Sequence, residues 1–77
     1  MGGNSMPDMF FVDSSNVESI GYDPEAQELH VTFLGSPGGT YVYLDVPDIV
    51  WEDLQVAASK GSFLNREVKP RFAFDKR

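Results

Sequence analysis

Glu28-Leu29-His30-Val31-Thr32-Phe33-Leu34, ELHVTFL, alternates without a break. Leu29, Val31 and Phe33 fall on one side of an extended chain, and His30, Thr32 and Leu34 on the other, the period-two pattern of a strand. Turns flank it on both sides. Before it, Asp23-Pro24 offers the residues that a type I turn selects, because proline presets φ and Asp bonds the local backbone. After it, Gly35-Ser36-Pro37-Gly38-Gly39 makes a second turn, in which Pro37-Gly38 can supply the positive φ of a type II turn. On either side, Val17 to about Tyr22 reads as the preceding strand and Thr40-Tyr41-Val42-Tyr43-Leu44-Asp45-Val46 as the following one. Three strands joined by short turns form an antiparallel meander. Upstream, Phe10–Val12 is an extended entry that leads to a polar corner at Asp13-Ser14-Ser15-Asn16.

Beyond the strands the period changes. Pro47 stands where a helix can begin, since its missing N–H costs nothing in the first turn. Asp48, Glu52 and Asp53 load the start with negative charge and Lys60 sits at the end, both favourable to the helix dipole. Val50, Trp51, Leu54, Ala57 and Ala58 recur at helical spacing as one apolar stripe. Gly61 is expected to close this helix in the left-handed conformation. Ser62 then caps a shorter helix through Phe63, Leu64 and Val68, which Pro70 ends. Phe72 and Phe74 alternate in a segment that is either a short strand or an extended tail docked by its aromatics. The expected class is α+β: a three-stranded antiparallel meander, then one longer and one short helix covering one face, with an extended C-terminal segment.

A chain of 77 residues is one domain. We expect residues 1–8, MGGNSMPD, to be a flexible lead-in or cloning remnant and residues 9–77 to be the domain. Such a chain hides only roughly 60% of its unfolded surface, so the core is small. Its 42% hydrophobic content is too rich for a disordered tail. There is no cysteine, which suits a reducing cytoplasm and excludes disulfides and thiolate metal sites. No run reaches the ~20 apolar residues of a membrane span, and no basic-then-apolar leader is present. An exposed sheet edge allows dimerisation, but nothing specifies it, and a monomer is expected.

The net charge of −6 conceals a division. Residues 1–59 carry ten acids and no Lys or Arg; residues 60–77 carry all six bases, Lys60, Arg66, Lys69, Arg71, Lys76 and Arg77, against Glu67 and Asp75. Such asymmetry points to an interaction surface. Its structural counterpart is a basic tail that lies along an acidic body and neutralises it, each exposed contact contributing under about 1 kcal/mol.

Three pieces in order resemble the KTSC domain: SSNVESIGYDPEAQELHVTF, YVYLDVP and ASKGSFLNREVK. That short module is named for its place at the C-terminus of some lysyl-tRNA synthetases and also occurs alone in bacterial and phage proteins. The resemblance covers about residues 11–74. Its Tyr-x-Tyr centre corresponds to Tyr41-Val42-Tyr43, and its Ser-x-Gly-x-Phe-x-Asn element to Ser59-Lys60-Gly61-Ser62-Phe63-Leu64-Asn65. The GSPGG turn is longer than the family's and the chain more acidic. The family's function is not established; its synthetase context implies RNA. The residue between the tyrosines is often polar in the family, which implies that the tyrosines point inward.

Several residues are candidates for function. Tyr41 and Tyr43 share a strand face, as do the aromatics on which RNA-binding sheets stack bases. Packing against the helix stripe, with hydroxyls at a polar rim, is the stronger reading, since aromatics usually dominate core energetics. Lys60, Arg66, Lys69 and Arg71, interleaved with Phe63, Phe72 and Phe74, suit phosphates plus stacking. Asn65 can bond a ligand, but beside a helix junction it more often satisfies backbone groups. His30 reads as an ordinary exposed strand residue, because a general base needs a partner and a cleft. Ser14, Ser15, His30 and Asp23 lack the glycine context of a nucleophile elbow. The acids are scattered and form neither a metal cluster nor a calcium loop. We therefore expect a non-enzymatic binding module with no cofactor. Its ligand is RNA or single-stranded nucleic acid, held by Lys60, Arg66, Lys69, Arg71, Tyr41, Tyr43 and Asn65. The alternative is a protein partner that meets the acidic body, a sheet edge or an apolar patch.

Overall fold

The central strand is Glu28–Phe33 (β3), the middle of a five-stranded antiparallel sheet. Val17–Asp23 (β2) and Gly39–Tyr43 (β4) flank it, with Phe10–Phe11 (β1) and Phe74–Lys76 (β5) at the edges, so the spatial order is the chain order. The computed structural model describes residues 7–35 and 38–77. The three-stranded meander expected from the pattern is thus the middle of a larger sheet. The edge strands are two and three residues long. Of the two readings of the Phe72–Phe74 segment the structure takes the short strand, and what joins both edge strands to the sheet is pairing: Phe10 with Ile20, and Phe74 with Tyr43.

The turns behave as their residues dictate. Asp23 Oδ1 accepts from the backbone N–H groups of Glu25 and Ala26 at 3.0 and 3.2 Å. Gly38 carries φ +62°, while the type of the turn at Ser36-Pro37 lies outside the described residues. Of the expected lead-in, residues 1–6 also lie outside them. Asp8 is described and passes over β2, its carbonyl oxygen 2.6 Å from where a Cβ on Gly21 would stand.

Register builds the core. Ile20, Val31 and Tyr41 face one another across β2–β3–β4, as do Tyr22, Leu29 and Tyr43. The helices cover this face with Leu54, Leu64 and Val68, all buried. The opposite face is not bare. His30 and Val42, neighbours across β3 and β4, are both buried, and Asp8–Met9 lies over Gly21, which pairs with His30. The expectation of an exposed His30 is therefore wrong: its ring is 2% exposed, with Nε2 3.3 Å from Glu28 Oε1.

The helical part differs from the expectation at its junction. The first helix, α1, spans Asp48–Val56 and stops before Lys60. Ala57 is extended, and Ala58 is exposed rather than part of the stripe. Ser59, not Ser62, caps the second helix, α2 (Lys60–Phe63), accepting from Ser62 N–H at 3.2 Å. Gly61 therefore lies inside α2 and closes nothing. Its lack of a side chain serves a close approach instead, since a Cβ there would stand 2.6 Å from Asn16 Oδ1. The chain continues as a π-helical segment, Leu64–Val68, closed by Lys69 N–H to Leu64 C=O at 2.8 Å.

Candidate functional site

Two residues apart on β4, Tyr41 and Tyr43 point to the same face, and β5 places Lys76 opposite Tyr41 and Phe74 opposite Tyr43. The outcome is a groove of about 400 Å³ between the last strand and the end of the π-helical segment. Phe33, Leu34, Tyr41, Tyr43, Lys69 and Phe74 line it. Its rings hold one another in place. Phe33 meets Tyr41 edge to face, centroids 5.4 Å apart at 88°, and Phe74 lies 5.1 Å from Tyr41 and 5.7 Å from Tyr43. Tyr43 is the buried floor at 2% exposure, Tyr41 is half-buried, and Phe74 is an open wall at 51%.

Cations stand at the rim. Lys69 Nζ is 4.9 Å from the Phe33 ring centroid and Lys76 Nζ 5.6 Å from that of Tyr41, both within cation–π range. Burial raises the Tyr43 phenol above its ordinary value, and nearby Tyr41 adds to the shift. The groove thus presents π faces bordered by positive charge, and Tyr43 stays neutral through the physiological range.

The structure sorts the candidate residues. Tyr41, Tyr43 and Lys69 meet in the groove. Lys60 does not: its Nζ donates to Gln55 C=O at 3.1 Å and Ala57 C=O at 2.8 Å, so it closes the C-terminus of α1. Asn65 lines a separate polar recess with Asn16, Ser59 and Ser62. Arg66 is exposed on the π-helical segment, and Arg71 pairs with Glu67 at 3.3 Å on the surface. Arg77 approaches Asp75 at 4.0 Å. Arg71 and Arg77 thus meet acids of their own segment. Phe33, Leu34 and Lys76 were not among the candidate site residues, whereas Phe74 was named among the stacking aromatics. Only the strand pairing of Phe74–Lys76 brings Lys76 to the rim.

Other sites are sparse among the described residues. No three His, Cys, Asp or Glu side chains gather to hold a metal. Ser14 Oγ donates to Asn16 Oδ1 at 3.1 Å, and the His30 ring bonds Glu28, so serine and histidine are not hydrogen-bonded to each other. Among the described residues no helix is long and apolar enough to cross a membrane.

Comparison with known proteins gives a consistent result. The model of the KTSC domain matches residues 13–72. A protein of Tsukamurella paurometabola is 51% identical over 61 residues, spanning 79% of this chain and 88% of that protein. A lysine–tRNA ligase of Nostoc punctiforme is 35% identical over 63 residues, which are 82% of this chain but only 11% of the ligase. The crystal structure of a KTSC domain protein from Yersinia pestis superimposes with a TM-score of 0.87 at 36% identity. It covers 94% of this chain and 99% of the other.

Proposed function

We propose, since this chain belongs to the KTSC domain family, that it is a small non-enzymatic module that holds single-stranded RNA or another single-stranded nucleic acid in the aromatic groove. A base lies against Tyr41 and the open face of Phe74, and Lys69, Lys76 and Arg66 meet the phosphates. The observation that carries the reading is the rim itself: two lysine ammonium groups, each within 6 Å of a ring of one aromatic groove. The shared segment of a lysine–tRNA ligase supports the same class of ligand.

The affinity is modest and salt-dependent. Three phosphate contacts on a single strand give a slope near −2 in log K against log salt, about a twentyfold loss between 50 and 200 mM. The test is a two-dimensional NMR titration of labelled protein with a short single-stranded RNA at both salt levels. Shifts at Phe33, Tyr41 and residues 69–76 that reverse with salt, and that vanish in Lys69→Ala and Phe74→Ala, are the expected result. If no resonance moves at low salt, the reading fails. Leu34, 47% exposed beside Phe74, then makes an apolar side chain of a partner protein the next occupant to try.

A further inference from the structure

A second aromatic recess lies at the other end of the sheet, where β1 and β2 meet α1. It has a volume of about 370 Å³. Phe10, Tyr22 and Trp51 form its walls, and Asp8 and Asp48 stand among them. We propose that this recess takes the guanidinium group of an arginine in a basic segment of a partner protein.

The walls offer π faces. Tyr22 and Trp51 stack nearly parallel, centroids 5.7 Å apart at 13°, and Phe10 is 55% exposed. A planar cation gains both from stacking on such faces and from the ring quadrupole. The polar groups select the sign of the charge. The Tyr22 hydroxyl is already spent, donating to Val46 C=O. That leaves the two carboxylates as the charged groups on the wall, acceptors for the N–H groups of a guanidinium. Neither forms an ion pair with a described residue of this chain. The first 59 residues hold no Lys or Arg that could serve them. Burial and then the nearby Asp48 and Asp23 raise the Tyr22 phenol, which agrees with negative charge at this wall.

The recess is also preformed. The Tyr22 hydroxyl bond holds one wall, and the packing of Asp8 over Gly21 holds another. The same carboxylates repel phosphate, so this site is independent of the groove proposed for nucleic acid. Lysine is the poorer occupant, because a compact, strongly hydrated ammonium does not stack on ring faces as a planar guanidinium does.

Trp51 is the only tryptophan, so its fluorescence reports on the site directly. The probe is an end-blocked Gly/Ser peptide with one central arginine, compared with the same peptide bearing citrulline, a neutral near-isostere, and with free arginine. The arginine peptide should change Trp51 emission saturably. The citrulline peptide should bind at least about tenfold more weakly, the loss of a charge-assisted pair. Asp8→Asn with Asp48→Asn, and separately Gln55→Lys at the same rim, should weaken the arginine peptide at least about fivefold with the fold retained, the first variant losing no more than about 8 °C in Tm because Asp48 also favours the α1 dipole. Equal binding of citrulline overturns the proposal, as does binding indifferent to both variants or no saturable change up to about 10 mM peptide. Free arginine binding as tightly as the peptide overturns the choice of a protein partner. Dimerisation without peptide that Gln55→Lys abolishes also overturns it, since the occupant is then an arginine of a second copy. Failure of the RNA titration leaves each of these outcomes intact.

Discussion

The Tyr-x-Tyr pair should divide under mutation into a structural residue and a binding residue. Tyr43 is 2% exposed and has Tyr41, Phe74 and the buried aliphatic core around it. Truncating a buried aromatic to alanine costs about 3–5 kcal/mol, cavity included. A domain of 77 residues has only about 4–12 kcal/mol of stability in total. Tyr43→Ala therefore removes a quarter of it at least, and in the marginal case all of it. At about 4–8 °C per kcal/mol for this size, Tm falls by at least about 12 °C. Tyr43→Phe keeps the ring, and no protein hydrogen bond to the hydroxyl is present among the described residues, so its cost stays below about 1 kcal/mol. Tyr41 is half-buried with a cation beside it, and Tyr41→Ala should cost only about 1–2 kcal/mol. That variant should lose the RNA-dependent shifts while still folded. Thermal and urea melts by circular dichroism, run beside the NMR titration, read all three variants. A Tyr43→Ala domain that melts within about 4 °C of the parent refutes the placement of Tyr43 in the core.

Three further outcomes follow from the packing. Leu54 is the buried residue of α1, and Leu54→Ala should cost about 2–5 kcal/mol; an unchanged melting curve means that α1 is not docked on the sheet. Gly21→Ala puts a Cβ 2.6 Å from the Asp8 carbonyl oxygen and Met9 Sδ; backbone must move, so a loss of about 1–3 kcal/mol and faster amide exchange at Val12, whose N–H bonds Glu18 C=O, are expected. Both Tyr22 and Tyr43 have raised pKa values through burial. The unfolded tyrosines ionise first, so the stability they contribute is complete below about pH 10 and is lost as pH rises through the folded values. Tm measured from pH 8 to 11 should fall at the alkaline end, and less so in Tyr22→Phe with Tyr43→Phe; an identical fall in that variant refutes the assignment.

Alternation in Leu29, Val31 and Phe33 and the chemistry of Asp23-Pro24 sufficed to read the central sheet, because both signals are local. The edges were legible only as extended chain, Phe10–Val12 as an entry and Phe74 in a short strand or tail, because their places in the sheet come from their partners. The helix junction was misread for a related cause. Glycine after an amphipathic run suggests a left-handed close, but Gly61 answers to Asn16, 45 positions earlier in the chain. Burial of His30 depends likewise on a face that sequence spacing alone leaves open. At the groove, Tyr41, Tyr43 and Lys69 were visible as residue types, whereas Phe33, Phe74 and Lys76 join them only through cross-strand register.

Charge division along the chain becomes charge division in space, and the sheet order explains how. A meander whose spatial order equals its chain order sets the first and last segments of the chain at opposite edges. Asp8 arrives at the β1 edge, Asp48 joins it from α1, and Lys69 and Lys76 arrive at the β5 edge. At each edge the short outer strand leaves a phenylalanine, Phe10 or Phe74, half exposed beside a tyrosine of the adjacent strand, Tyr22 or Tyr43. One topology therefore yields two aromatic recesses of opposite rim charge. A single net charge of −6 describes neither of them. A ligand judged against the average is repelled or attracted by a field that no part of the surface presents, because exposed charges act within about 10 Å at ordinary salt. The principal axes of the domain are 36, 27 and 21 Å, so its two ends are electrostatically separate and can be titrated as separate sites.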